Sequence, residues 1–541
     1  MIKNKSGITL IALVITVIIL LILAATVISI SVNGGGIFSR TEDAVEKWNK
    51  KVENEQSVLD LLEMAYEYTE NEDVPENAVA RIGSQYYTTL QSALDDVPSD
   101  NTRAVVLLLK DISENVIAQA DKRVVLYLNG HTIQNEDDTP IITISGNMTI
   151  TGGTITGQYG IKEVASVLVN ENAELSLSNT LVDRNSEDEN GWYTVEIHGK
   201  LKINSGKVNS SNSNALNNKS TGILEISDTA EITSIATGFP TLWNHGDLKI
   251  NGGIISSTNS TALANDNTIS ISGGTIYSLN YAAMTNAGTA TITGGSIRAE
   301  KNMAIYNQQS ATLEISGTAE IEGVDNNTAL GNYGTATIKG GSIKSTNKVA
   351  FTNVGTAVIT GGDISSTNSG AINNQSTGIL EMSGVDMTGT GGGIVIANHG
   401  TATINGGKLK STNSNVINNQ ETGTLTLTGA IEIEGTNSET PAVVNHGILT
   451  VNEGIITSNS NAINNRATGT LEINGAVEVK GTGSSLPTLY NYGTATLIAG
   501  KIEHTVSGTK AVYNSNGTVY KSDDFIIIGG TNGTISPYTG Q

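Results

Sequence analysis

The chain of 541 residues contains no cysteine, so no disulfide holds it and no metal–thiolate site exists in it. Aromatic residues make up 4% of it, which leaves a core built from small and branched aliphatic side chains. Positive charge is scarce: 30 basic residues stand against 52 acidic ones, a formal net charge of −22. Such a surface repels phosphate backbones and anionic headgroups, and this excludes nucleic-acid binding. Familiar catalytic texts are missing too. There is no phosphate-binding loop, zinc-ligand spacing or nucleophile–His–Asp set, and no cofactor is implied.

What the chain does have is a repeat. GTATITGG at 288–295, GTATIKGG at 334–341, GTAVITGG at 355–362 and GTATINGG at 400–407 are versions of one phrase. An Asn precedes each version, and it recurs at Asn218, Asn244, Asn265, Asn286, Asn307, Asn332, Asn353, Asn374, Asn398, Asn419, Asn445, Asn465, Asn491 and Asn514. Successive markers lie 20 to 26 residues apart, most often 21. A period of this length means stacked units rather than a closed globule. Ala290 and Ile292 alternate with Thr289, Thr291 and Thr293, the period of a strand. The Gly-Gly that follows reads as a tight turn. A second strand carries one Ile, such as Ile297 or Ile343, and a third ends on the marker, as in Ala304-Ile305-Tyr306-Asn307.

Three strands per coil predict a mainly β fold: a single-stranded, right-handed parallel β-helix of about 18 turns, about 85 Å long at about 4.8 Å per turn. One Asn per turn predicts an inward ladder of stacked amides, Asn244, Asn265, Asn286, Asn307, Asn332, Asn353, Asn398 and Asn445 among its rungs. The other reading is that each Asn merely supports a left-handed corner. A second flavour of turn, at Leu224, Leu313, Leu380, Leu425 and Leu471, carries Glu at the outward positions.

The array occupies 141–541, and 80–140 is expected to hold its cap and first turns. An open solenoid end exposes unpaired backbone, so a cap is needed. A short helix with Leu90, Ala93, Leu94 and Val97 on one face is the candidate lid, followed by strands at Val105–Leu109 and Val124–Leu128. Before it come a polar linker at 71–79 and, at 33–70, a Gly-rich hinge with a stalk helix. Residues 8–32 are uncharged and apolar, about 37 Å as a helix, enough to cross a bilayer. Lys3 and Lys5 before them predict a cytoplasmic N-terminus with the bulk outside the cell membrane. No second apolar run follows Phe525, so this segment is expected to be the anchor.

Two resemblances add to this. Lys3-Asn4-Lys5-Ser6-Gly7-Ile8-Thr9-Leu10 resembles the leader of type IV prepilins. The resemblance implies cleavage by a prepilin peptidase between Gly7 and Ile8 after the leader 1–7, and pilin-like subunits as partners. One departure is Ala12, where that family usually has Glu at the fifth mature position, a residue thought to pair with the neighbouring amine in a filament. This shifts the expectation towards an anchored monomer. The text Leu126-Tyr-Leu-Asn-Gly-His-Thr-Ile133, with the cap before it, resembles the opening of pectate-lyase-like β-helix domains of bacterial surface proteins.

Candidate chemistry is thin. His198, His245, His399 and His446 share one repeat position, but His198 and His245 lie two turns apart, about 9.6 Å, and so do His399 and His446, too far to share a zinc ion. Glu320 with Glu322, and Glu432 with Glu434, are two apart on one strand, about 7 Å, in the range of inverting glycosidases. They occupy outward positions where Glu is an ordinary resident. The NTD, GHG and RIK signatures of polygalacturonases are absent; Asn-His-Gly occurs instead at 244–246, 398–400 and 445–447. The expected function is therefore non-enzymatic: a bacterial cell-surface protein displaying a rigid rod for adhesion or surface structure, with glycans or surface proteins as partners. The alternative is a carbohydrate-active enzyme, a lyase or glycoside hydrolase, on the same scaffold.

Overall fold

Alternating Ile, Leu and Ala side chains along the repeat all turn to one side, and that side is the core. In a computed structural model, which describes residues 74–157, 163–184, 192–325 and 327–540, the chain winds as a parallel β-solenoid of about 18 turns. Each turn contributes two segments to a sheet of 30 strands and one short strand to a second ladder of nineteen. Pairing is coil to coil and in register: Thr289–Ile292 lies against Thr312–Ile315, Ser296–Ala299 against Glu320–Gly323, and Ile305–Asn307 against Leu330–Asn332. Buried Ala290, Ile292, Ile297 and Ile305 form one layer of a core continuous along the stack.

The Gly-Gly pairs do less than a tight turn. In many coils the strand runs through them as one piece, as in Thr335–Ser345 and Thr356–Ser366, with a bulge in the register where they stand. Gly341 takes φ +79°, which bends the strand without reversing it. The coil at 289–299, with its separate strands, is the more strongly broken form.

The first coil is covered as its exposed edges require. Strands Ala80–Ile82 and Gln85–Tyr87 form an antiparallel hairpin, and Ala80–Ile82 pairs with Arg103–Leu108, covering the edge of the first sheet. Helix Leu90–Asp96 buries Leu90, Ala93 and Leu94, and Val97 beyond it is also buried. Glu114 accepts from the backbone nitrogens of Leu90 and Gln91, both at 2.9 Å, which satisfies two donors of the helix start. Gln91 then acts as a substitute strand: its amide accepts from Ile117 N at 2.7 Å and donates to Ile117 O at 3.1 Å. The end of the second ladder is blunted in this way. Residues 74–79, assigned to the linker by sequence, are tied into this cap, with Ala78 buried and Val79 N donating to Tyr87 O at 2.7 Å.

The marker Asn side chains form a chain of hydrogen bonds through the core. Nδ2 of Asn218 donates to Oδ1 of Asn244, that residue to Asn265, and so on through Asn286, Asn307, Asn332 and Asn353, at 2.7 to 2.8 Å. The same step continues through Asn374, Asn398, Asn419, Asn445, Asn465 and Asn491 to Asn514, at 2.7 to 2.9 Å. The second hydrogen of each amide serves the corner backbone; Asn244 reaches Gly246 O at 3.0 Å and Thr268 O at 3.1 Å. The corner after the Asn leaves no room for a side chain. A methyl on Gly378 would lie 2.3 Å from Asn374 Oδ1.

The prepilin-like leader with Gly7 and Ile8, the apolar segment 8–32, and the hinge and stalk 33–70 lie outside the described residues. Among the described residues no helix is long and apolar enough to cross a membrane.

Candidate binding face

The middle residue of each second-ladder strand points outward, because its two neighbours point in. Along the stack this position reads Glu196, Asn217, Trp243, Ala264, Thr285 and Tyr306. The residue that follows each of these short strands stands beside it: His198 after Ile197, and Lys219, His245 and Asp266 after the markers. The scarce aromatic residues concentrate here. Tyr306 and Tyr333 meet edge to face at 5.0 Å, and Tyr490 stacks on Tyr492 at 4.6 Å and lies 4.9 Å from Tyr513.

Between residues 192 and 266 this face carries one arrangement twice. Glu196 accepts from the indole nitrogen of Trp192 at 3.3 Å, and its other oxygen lies 2.9 Å from His198 Nε2. Lys219 adds an ion pair at 3.4 Å and sits 4.5 Å from the centre of the Tyr193 ring, which lies 4.5 Å from the Trp192 ring. Asp266 accepts from the indole nitrogen of Trp243 at 2.7 Å and lies 3.1 Å from His245 Nδ1. The Trp243 and His245 rings are 4.8 Å apart. In both units a carboxylate joins an indole to an imidazole. The first opens onto a hollow of about 580 Å³ lined by Pro140, Leu168, Asn170, Glu171, Glu196 and His198.

The histidines therefore serve separate carboxylates. His198 and His245 lie on strands two coils apart and bond different acids. His446, in the last of the four histidine corners, is held below the usual histidine range by burial, with Arg466 adding to the effect and Glu421 opposing it. No cluster of three metal-ligating side chains occurs among the described residues.

The paired carboxylates lie on the other sheet and are matched by bases on neighbouring coils. Lys408 is 3.2 Å from Glu432, and Lys410 is 2.8 Å from Glu434. Glu322 holds Arg298 at 2.9 Å, while Glu320 is exposed on the same strand. Bonds from Lys480 at 2.8 Å and Lys501 at 2.5 Å keep the Glu478 carboxyl below its ordinary range. An open groove of about 540 Å³ passes Glu432, Glu453 and Glu478.

Of the six histidines, only His198, His245, His399 and His446 stand out in the repeat as metal candidates; His131 and His504 do not. His504 is 4% exposed; its Nε2 donates to Gly483 O at 2.9 Å, and its Nδ1 lies 3.0 Å from Thr488 Oγ1. Gly481 makes the space, since a methyl there would lie 2.6 Å from Nδ1. His504 fills an inward column otherwise held by small residues such as Ser411 and Ser458, so it is a packing residue. The Trp–carboxylate–His units had a readable signal: rare aromatics falling at outward positions of the repeat.

No family model, no curated protein and no solved structure matches this chain.

Proposed function

We propose that the protein is a non-enzymatic bacterial surface protein that projects a stiff β-solenoid for adhesion or surface structure. The observation that carries this reading is the unbroken amide chain from Asn218 to Asn514, which ties every coil in that stretch to the next through its core. A solenoid touches only its neighbours along the axis, and so offers length and repetition rather than one enclosed pocket. Many weak contacts along such a face add up to firm attachment. We take the coil to be right-handed, the hand that parallel crossover connections overwhelmingly adopt, as in pectate-lyase-like surface domains.

Anchoring falls to the apolar segment 8–32, processed between Gly7 and Ile8 by a prepilin peptidase and associated with the membrane or with pilin-like subunits. Protease shaving of intact expressing cells tests the display. Release of solenoid fragments supports it, and full protection of the chain refutes it. Filaments lost on changing Gly7 to Val would show assembly as well as anchoring; Ala12 argues for the anchored monomer.

The groove past Glu432, Glu453 and Glu478 favours the second reading, a polysaccharide-degrading enzyme. Depolymerisation of a polysaccharide panel by the full chain, abolished in Glu432→Gln or Glu434→Gln, would establish it in place of the first.

A further inference from the structure

We infer that the outward face from Trp192 to Asp266 is a saccharide site that takes chains of uncharged pyranose rings. The inference deepens the display reading and rests on it for its role at the surface. Both units present the same chemistry: an indole whose N–H is already held by a carboxylate, Trp192 by Glu196 and Trp243 by Asp266. An indole tethered by its polar edge keeps its ring orientation and offers an apolar surface at little conformational cost. The C–H face of a pyranose ring covers such a surface, and its hydroxyls are donors for carboxylate oxygens that retain free lone pairs.

Repetition argues for a chain rather than a single sugar. The imidazoles His198 and His245 recur two coils, about 9.6 Å, apart along the axis, and the carboxylates Glu196 and Asp266 three coils, about 14 Å. Tyr306 and Tyr333 add a further aromatic pair on the same face, beyond Ala264 and Thr285. The hollow beside Glu196 and His198 gives the first unit depth.

Charge selects among polymers. Glu163, Glu171, Glu196 and Asp266 face this region, and Lys219 is already paired to Glu196. Polyuronates and phosphate-bearing polymers meet like charge there. A cationic peptide would also meet favourable charge, but the half-buried, tethered indole rings that recur in both units suit an apolar ring face better.

The test uses the full chain, with calorimetry and tryptophan fluorescence on chitohexaose, cellohexaose, hexagalacturonate and hexalysine. One or both neutral hexamers should bind and perturb the fluorescence, and hexagalacturonate should not bind. Trp243→Ala should weaken the neutral hexamer at least about tenfold. Asp266→Asn, which keeps the shape and removes the charge, should weaken it about threefold with an unchanged circular-dichroism spectrum. Failure of both neutral hexamers at millimolar concentration overturns the inference. So does unchanged affinity in both variants, or tighter binding of hexalysine or hexagalacturonate. Binding with no release of fragments by protease shaving would sink the display reading and leave the site standing; the reverse pair of results would sink the site alone.

Discussion

Coils on the two sides of Asn218 close the same corner with different chemistry. On the N-terminal side the inward residue ending each short strand is Ala118, Ile144, Val169 or Ile197, all buried. From Asn218 onwards it is an amide, and the backbone register passes from one kind to the other without a shift, Ile197 opposite Asn218. The coil therefore does not require the amide; parallel backbone bonds and apolar burial suffice. What the amide adds is one hydrogen-bonded chain in which each side chain polarises the next. Its first member marks the boundary: Oδ1 of Asn218 faces Ile197 and has no donor among the described residues.

The sharpest way to break this comparison is in the middle of the chain. Asn353→Ala orphans the donor of Asn332 and the acceptor of Asn374, and should cost on the order of 4 kcal/mol, read as a drop in the denaturant midpoint. Within the amide chain Asn218→Ala orphans the acceptor of Asn244 and no donor, with the corner bond to Asp247 O lost as at the other rungs, and about 2 kcal/mol is expected from the same measurement. Equal losses at the two sites would mean that the amides act singly and not as a chain. In the amide-free coils, Ile144→Val should cost about 1 kcal/mol, because one methylene of transfer energy is lost and no polar group is stranded.

The smallest effect lies on the surface and separates the neutral interior from the charged exterior. The Glu478 carboxyl is held below its ordinary 4.5 by bonds from Lys480 and Lys501. Its contribution is thus present above about pH 4.5 and disappears as pH falls through the lowered folded value. The stability gap between the native chain and Glu478→Gln should narrow across that acid range, while the deficit of Asn353→Ala should stay constant because an amide does not titrate. Urea titrations at several pH values read both.

Much of this was legible in the residues. The marker spacing and the alternation of Ala290 and Ile292 with threonines imply the coil and its inward face. Leu90, Ala93, Leu94 and Val97 imply the lid, and burial of all four agrees. The behaviour of Gly-Gly was misjudged because glycine signals a bend without saying whether a neighbouring coil keeps the strand paired through it; here Thr356–Ser366 supports Thr335–Ser345 across the bulge. The binding face was harder to see. Trp192 and Glu196 lie four residues apart in sequence, but Trp243 and Asp266 are 23 apart and meet only because successive coils stack.

By itself the sequence determined the repeat, its strand character, the spacing of the Asn markers and the acidity of the exterior, since each follows from local periodicity and composition. Tertiary structure alone decided which way the amides donate, where their chain starts, which lysine neutralises which glutamate and which indole meets which carboxylate. Those outcomes depend on contacts between residues a full coil apart, and the coil lengths that bring them together vary from 20 to 26 residues along the stack.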